Sequence, residues 1–253
     1  MPYLKVNDKN YYYAGNIDQK GMPVIFCHGS GGGHHHWLYQ FKNLPHTINT
    51  FAVDLPGHGR SQGKPEDAVG SYRDWLQRFI NVLGIGPFIL AGHSLGGAIA
   101  LAYALKYPDQ LKGLILIGTG ARLRVLPSFL EELNKGNTPK ELINYVYTPD
   151  TPEDLVKRAR REIEDTDPSV YLADFEACDK FDIIEHLHHI NKPTLIICGS
   201  EDSLTPVKYS RFLKENLPQS KLEVIQGAGH MVMLEKPEAV NRAISRFIEE
   251  DLL

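Results

Sequence analysis

The chain has 253 residues, 42% of them apolar and 23% charged, with a formal net charge of −4. This suffices to bury one sizeable core; the acidic balance argues against a nucleic-acid partner, and no apolar run approaches the roughly 20 residues of a membrane span. The 3 cysteines, at no metal-ligand or disulfide-framework spacing, fit a reducing cytoplasm, as does the absence of a secretion-signal apolar core between Met1 and Asp8.

Residues 3–17 read as two short strands, a hairpin at a sheet edge, with Tyr11-Tyr12-Tyr13 strand-like by aromatic content. Pro23 to Cys27 is a continuous apolar run, as in a strand covered on both faces. A glycine-rich loop follows, Gly29-Ser30-Gly31-Gly32-Gly33. It invites a nucleotide reading, which fails in detail. No Gly-Lys-Ser/Thr follows, and His34 stands where a dinucleotide loop needs its third glycine. Asp54, at the distance of a ribose-binding acid, opens a turn-rich segment and not a helix. No cofactor is expected, and the bare backbone is read as approaching a substrate. His34-His35-His36 invites a metal reading. Adjacent helical residues do not share a face, and no carboxylate or cysteine stands at ligand spacing nearby, so no metal is expected. The run is read as opening a helix that ends near Leu44, with Trp37 turned inward.

Thr50 to Asp54 is the next strand. Ser71 is a plausible N-cap for a helix over 72–83, whose stripe is Trp75, Leu76, Phe79, Ile80 and Leu83. The strand Ile89-Leu90-Ala91 then runs into Gly92-His93-Ser94-Leu95-Gly96-Gly97, and a helix over 97–107 follows at once. Strand, sharp turn and helix force the central residue into a strained conformation with its side chain free above the strand end. Ser94 is therefore the candidate nucleophile. The Leu95 amide, opening the helix, is a candidate oxyanion donor. Ser30 is the second, with Gly31 as its alternative.

Leu111 to Ile117 is another buried strand. Residues 121–190 then show helical patterning without a convincing strand, and they read as a helical cap insertion. The core domain is expected over 1–120 and 191–253. Pro193 to Cys198 resumes the strand pattern and ends at Glu201-Asp202; Leu222 to Ile225 is the last strand, followed by Gly229-His230. A closing amphipathic helix spans 236–252. Alternating strands and helices imply α/β architecture, a mostly parallel sheet with helices on both faces.

Ser94, Asp202 and His230 each follow an expected parallel strand, where ligands collect in such sheets. Serine needs a base, so His230 would take its proton, and Asp202 would hold the imidazole in one tautomer. Glu201 competes with Asp202, but Gly199-x-x-Asp-x-x-x-Pro206 favours the latter. Pocket walls are expected from His28, Gly29, Trp37, His93, Leu204 and Met231, and across the insertion from Phe129, Leu133, Tyr145 and Phe175.

At these residues the chain resembles the α/β-hydrolase superfamily over nearly its whole length. The matching pieces are His28-Gly29-Ser30-Gly31, Asp54-Leu55-Pro56-Gly57-His58-Gly59-Arg60-Ser61, Gly92 to Gly97, Gly199 to Asp202, and Gly229-His230. It is most similar to the capped, serine-dependent carboxylesterase and C–C-bond hydrolase branch. The resemblance implies acyl transfer through acyl-Ser94, without metal or organic cofactor. Hydrolysis of small carboxylic esters is the first expectation. C–C hydrolysis of vinylogous diketones, thioester hydrolysis and acyl transfer would use the same three residues, although His34-His35 replace the C–C hydrolases' usual proline and glycine. A non-catalytic small-molecule receptor is the reading from another class. The expected partner is a small-molecule ester, with no nucleic acid and no membrane, bound by a monomer or homodimer.

Overall fold

The computed structural model describes residues 3–15 and 19–253. Strands β1 (Tyr3–Val6) and β2 (Lys9–Ala14) form the expected antiparallel hairpin; its anticipated end at Ile17 lies outside the described residues. β3 (Met22–Cys27), β4 (Ile48–Val53), β5 (Phe88–His93), β6 (Leu111–Ile117), β7 (Thr194–Gly199) and β8 (Ser220–Ile225) complete an eight-stranded sheet. Its order is β1-β2-β4-β3-β5-β6-β7-β8. β1 and β2 are antiparallel, and every pairing from β4 through β8 is parallel.

Helices cover both faces because the strands are apolar on both. Successive residues of a strand point to opposite sides. Thus Ile25 and Cys27 enter one cluster, with α2 (Val69–Leu83), α3 (Leu95–Lys106) and α8 (Val207–Asn216). Val24 and Phe26 enter the other, with α1 (Leu38–Asn43), α9 (Val232–Glu235) and α10 (Pro237–Asp251). The α2 stripe is as expected, and Gly84 ends it at φ 72°. The helix begins earlier than Ser71, because Val69 is also buried, and Ala68 caps it without a side-chain bond. The helix expected over 34–44 is broken into a 3-10 turn, His34–Trp37, followed by α1.

Between β6 and β7 lie α4 (Pro127–Asn134), α5 (Leu142–Val146), α6 (Glu153–Asp165) and α7 (Pro168–Lys180). The two ends of this segment are pinned together. Arg122 and Asp182 form an isolated antiparallel bridge, and Ile183 N–H donates to the Ala121 carbonyl at 2.9 Å. α7 does not stay on the surface: its Ala177 and Cys178, with Phe181 just after it, enter the main core beside α3. All three cysteines are buried and free. Among the described residues no helix is long and apolar enough to cross a membrane.

Trp37 is fully buried, with its ring 4.7 Å from that of Phe26. Trp37→Ala should therefore cost about 3–5 kcal/mol of stability. Chemical denaturation would register this as a lower midpoint with an unchanged slope.

Candidate active site

The turn from β5 into α3 places Ser94 at φ 52°, ψ −116°. A residue with a Cβ there stores about 1–3 kcal/mol of strain. Close backbone packing enforces it. A Cβ on Gly92 would collide with the Gly96 carbonyl, and one on Gly96 with the Cys27 carbonyl of β3. Hydrogen bonds then hold the strained residue at both ends. Ser94 N–H donates to the Ile117 carbonyl at 2.9 Å. Its own carbonyl accepts from Thr119 Oγ1 at 2.8 Å and from the Gly97 amide at 2.9 Å.

Asp202 and His230 lie on the loops after β7 and β8, and both are buried. His230 Nδ1 is 2.9 Å from Asp202 Oδ2. Asp202 Oδ1 accepts from the Leu204 and Thr205 amides at 2.9 and 2.8 Å, and Oδ2 accepts from Thr205 Oγ1 at 2.7 Å. Burial alone would raise this carboxyl's pKa; the attraction and hydrogen bond of His230, joined by Thr205, instead hold it well below the usual carboxylate range. Glu201, its sequence rival, is exposed.

His93 ties the two loops together. Its Nε2 lies 3.0 Å from the His230 carbonyl, which can only accept, so Nε2 carries the proton. Its buried Nδ1 has no partner among the described residues. Burial first, and the adjacent His230 ring second, push its pKa well below the ordinary histidine value. His93 is thus a neutral brace.

Above the elbow is a cavity of about 400 Å³. Ser94 and His230 both line it, with Gly29, Ser30 and Gly31 on one side. Of the residues expected to form its walls, His93, Phe129, Tyr145, Phe175, Leu204 and Met231 do so. Three do not. Trp37 is packed beneath the sheet. Leu133 backs Phe129 in a small cluster with Leu142 and Tyr171. His28 is fully buried; its Nδ1–H donates to the Gly29 carbonyl at 2.8 Å, and its Nε2 accepts from the Leu55 amide at 3.1 Å. Burial and the nearby His58 lower its pKa to about 3, so it is a neutral loop brace.

The structure also separates the two candidate donors on the glycine loop. Gly31 N–H donates to Asp174 Oδ2 at 2.9 Å, so Gly31 is corrected: its amide is occupied. Among the described residues the Ser30 and Leu95 amides have no acceptor.

Asp174, on α7, has no sequence signal beyond its place in a helical stretch, and it was not anticipated. It is fully buried and also accepts from Tyr72 Oη at 2.6 Å and His58 Nε2 at 2.9 Å. The other nitrogen of His58 lies 3.0 Å from the Pro56 carbonyl. With an acceptor at each nitrogen, His58 carries both protons and is charged. Burial opposes this, but the Asp174 charge overcomes it and raises the His58 pKa. A buried ion pair thus joins α7 to the glycine loop and to the loop after β4. Asp54, the rejected ribose-binding candidate, instead accepts from the His34 and Arg60 amides at 2.7 and 2.9 Å.

The family model of the alpha/beta hydrolase fold matches residues 22–237. A solved thermophilic esterase is 34% identical, with a TM-score of 0.86, over 98% of this chain and 96% of that one. A thermophilic esterase from Thermogutta terrifontis, solved with malate bound, is 26% identical with a TM-score of 0.90, covering 100% of both chains. The pimeloyl-[acyl-carrier protein] methyl ester esterase of Neisseria meningitidis is 27% identical, over 92% of this chain and 97% of its own.

The His58–Asp174 pair sets a pH window for the fold. A raised histidine pKa contributes stability that is complete below the unfolded value, about 6.5, and is lost as pH rises through the folded value. Thermal unfolding followed from about pH 6 to 9 should show a falling midpoint. Asp174→Asn should lower the midpoint throughout and remove this alkaline slope.

Proposed function

The chain belongs to the α/β-hydrolase fold family, and from that premise we propose that it is a carboxylic ester hydrolase acting on small esters through Ser94, His230 and Asp202. The observation that carries the reading is the strained elbow. It holds Ser94 at positive φ on the floor of a cavity that His230, braced by Asp202, also lines.

Ser94 Oγ attacks the ester carbonyl while neutral His230 accepts its proton at Nε2. Asp202 accepts from Nδ1–H, which fixes the tautomer and stabilises the imidazolium that forms. Its depressed pKa keeps it ionised across the neutral range. The developing oxyanion takes hydrogen bonds from the Ser30 and Leu95 amides, the second at the positive end of α3. His230 then returns the proton to the departing alcohol. In the second half-reaction it deprotonates water, which releases the acid from Ser94.

Residues 121–190 act as a cap in this reading. Support comes from Phe129, Tyr145 and Phe175, which line the cavity from α4, α5 and α7. The Phe129 and Phe175 rings stack at 6.4 Å. Their apolar faces suit a short acyl or alkyl group.

Hydrolysis of p-nitrophenyl acetate and butyrate tests the chemistry. Ser94→Ala should lower kcat by about four to six orders of magnitude, and Asp202→Asn by about four, with the fold intact by circular dichroism. Equal turnover by wild type and Ser94→Ala would remove Ser94 from the mechanism. For the cap, Phe129→Ala should change the ratio of rates across a chain-length and thioester panel. An unaltered ratio would deny it a lining role.

A further inference from the structure

The histidine run after the glycine loop divides its work. His34 turns to the sheet, where its Nδ1 lies 2.9 Å from Asp54 Oδ1. His35 and His36 turn the other way. Their Nε2 atoms converge on one oxygen, Glu162 Oε1, at 2.7 and 3.0 Å. Adjacent residues of a 3-10 turn leave the axis about 120° apart, yet the His35 and His36 rings reach round to stand 4.6 Å from one another. Glu162 comes from α6, 126 residues beyond His36, so no local spacing announces the cluster.

We propose that His35, His36 and Glu162 form a binding site for a divalent transition-metal ion, zinc in the first instance, that clamps α6 to the turn after the glycine loop. Two imidazole nitrogens and one carboxylate oxygen are a donor set suited to zinc, cobalt or nickel. The three candidate donor atoms lie within 4.8 Å of one another. Ligand bonds of about 2.0–2.1 Å put tetrahedral donors about 3.3 Å apart. The two histidine-to-Glu162 separations, 2.7 and 3.0 Å, need to widen by only a few tenths of an ångström, which a small swing of the Glu162 side chain supplies.

Access and charge also favour an ion. The His35 side chain is 53% exposed and opens the cluster to solvent, whereas that of His36 is 11% exposed and fixes its inner wall. Water can complete the coordination shell from the open side. Glu162 sets one carboxylate oxygen against both rings, the anionic donor that a divalent cation needs beside two imidazoles. An ion would take both Nε2 lone pairs and move each ring proton to Nδ1. Buried His36 Nδ1 has no other partner among the described residues, so the proton placed there finds no acceptor, a cost that the metal–ligand bonds must exceed.

His36 and Glu162 also line the cavity of the proposed ester chemistry, so the test of the clamp reads binding and stability and does not use turnover. Metal-stripped protein would be titrated with zinc chloride by calorimetry, and with cobalt chloride for its visible ligand-field absorption. One ion per chain should bind, with a rise in Tm. Glu162→Gln keeps an oxygen that can accept from both histidines but removes the charge; it should weaken binding roughly tenfold or more. Half-exposed His35→Ala should do the same. The double variant His188→Ala/His189→Ala, which removes the adjacent surface pair on the 3-10 turn Ile184–His189, should leave affinity unchanged. No binding at millimolar zinc overturns the proposal, leaving the cluster a hydrogen-bonded tie alone. So does binding that survives both Glu162→Gln and His35→Ala, or that disappears with the surface pair.

Discussion

Two backbone segments approach so closely beneath Ser94 that neither can carry a side chain. Gly96 presses on the Cys27 carbonyl at the end of β3, and Gly92 on the Gly96 carbonyl. This contact lets α3 start directly above the sheet, and it turns the intervening serine to positive φ. The strain persists because hydrogen bonds from β6 and the residues after it grip both ends of Ser94. The proposed nucleophile, the Leu95 amide and the floor of the cavity all follow from that geometry. The sheet is well suited to bear it, with β3, β5 and β6 central and apolar on both faces.

A second constraint is electrostatic. Asp174 brings a full charge into the core, where a lone ion would be very costly. Three donors compensate it, the Gly31 amide, the Tyr72 hydroxyl and a charged His58. Two histidines whose rings lie 5.0 Å apart, His28 and His58, thereby hold opposite protonation states. The difference comes from their partners: an amide offers a proton to His28, whereas a carboxylate demands one from His58. The consequence reaches the site through Gly31. With its amide occupied, only Ser30 of the two candidate donors keeps a free amide, so a residue of the inserted helices orients the loop facing Ser94.

The inserted helices therefore belong mechanically to the core as much as they cover it. α7 supplies Asp174 and buries Cys178, Val146 accepts from the His230 amide at 3.0 Å, and Glu162 reaches the histidine turn. The cavity is bounded by these tethers together with the aromatic residues of α4, α5 and α7.

Much of this was legible in the order of residues. Continuous apolar runs marked the parallel strands, because strands covered on both faces have no polar side. Gly-x-Ser-x-Gly between a strand and an alanine-rich helix marked the elbow, because that turn tolerates few side chains. Asp202 and His230 were recognisable from their positions just beyond strands. Such features are local, and one short segment carries each signal. Tertiary structure alone decided the rest. It set Trp37 and Leu133 behind the cavity, split the helix expected over 34–44 after Trp37, occupied the Gly31 amide, and brought Asp174 and Glu162 to their histidines. Those outcomes depend on groups separated by as many as 143 residues. Whether an amide is free or a carboxylate charged is settled by what folding places beside it, and no local pattern records that neighbour.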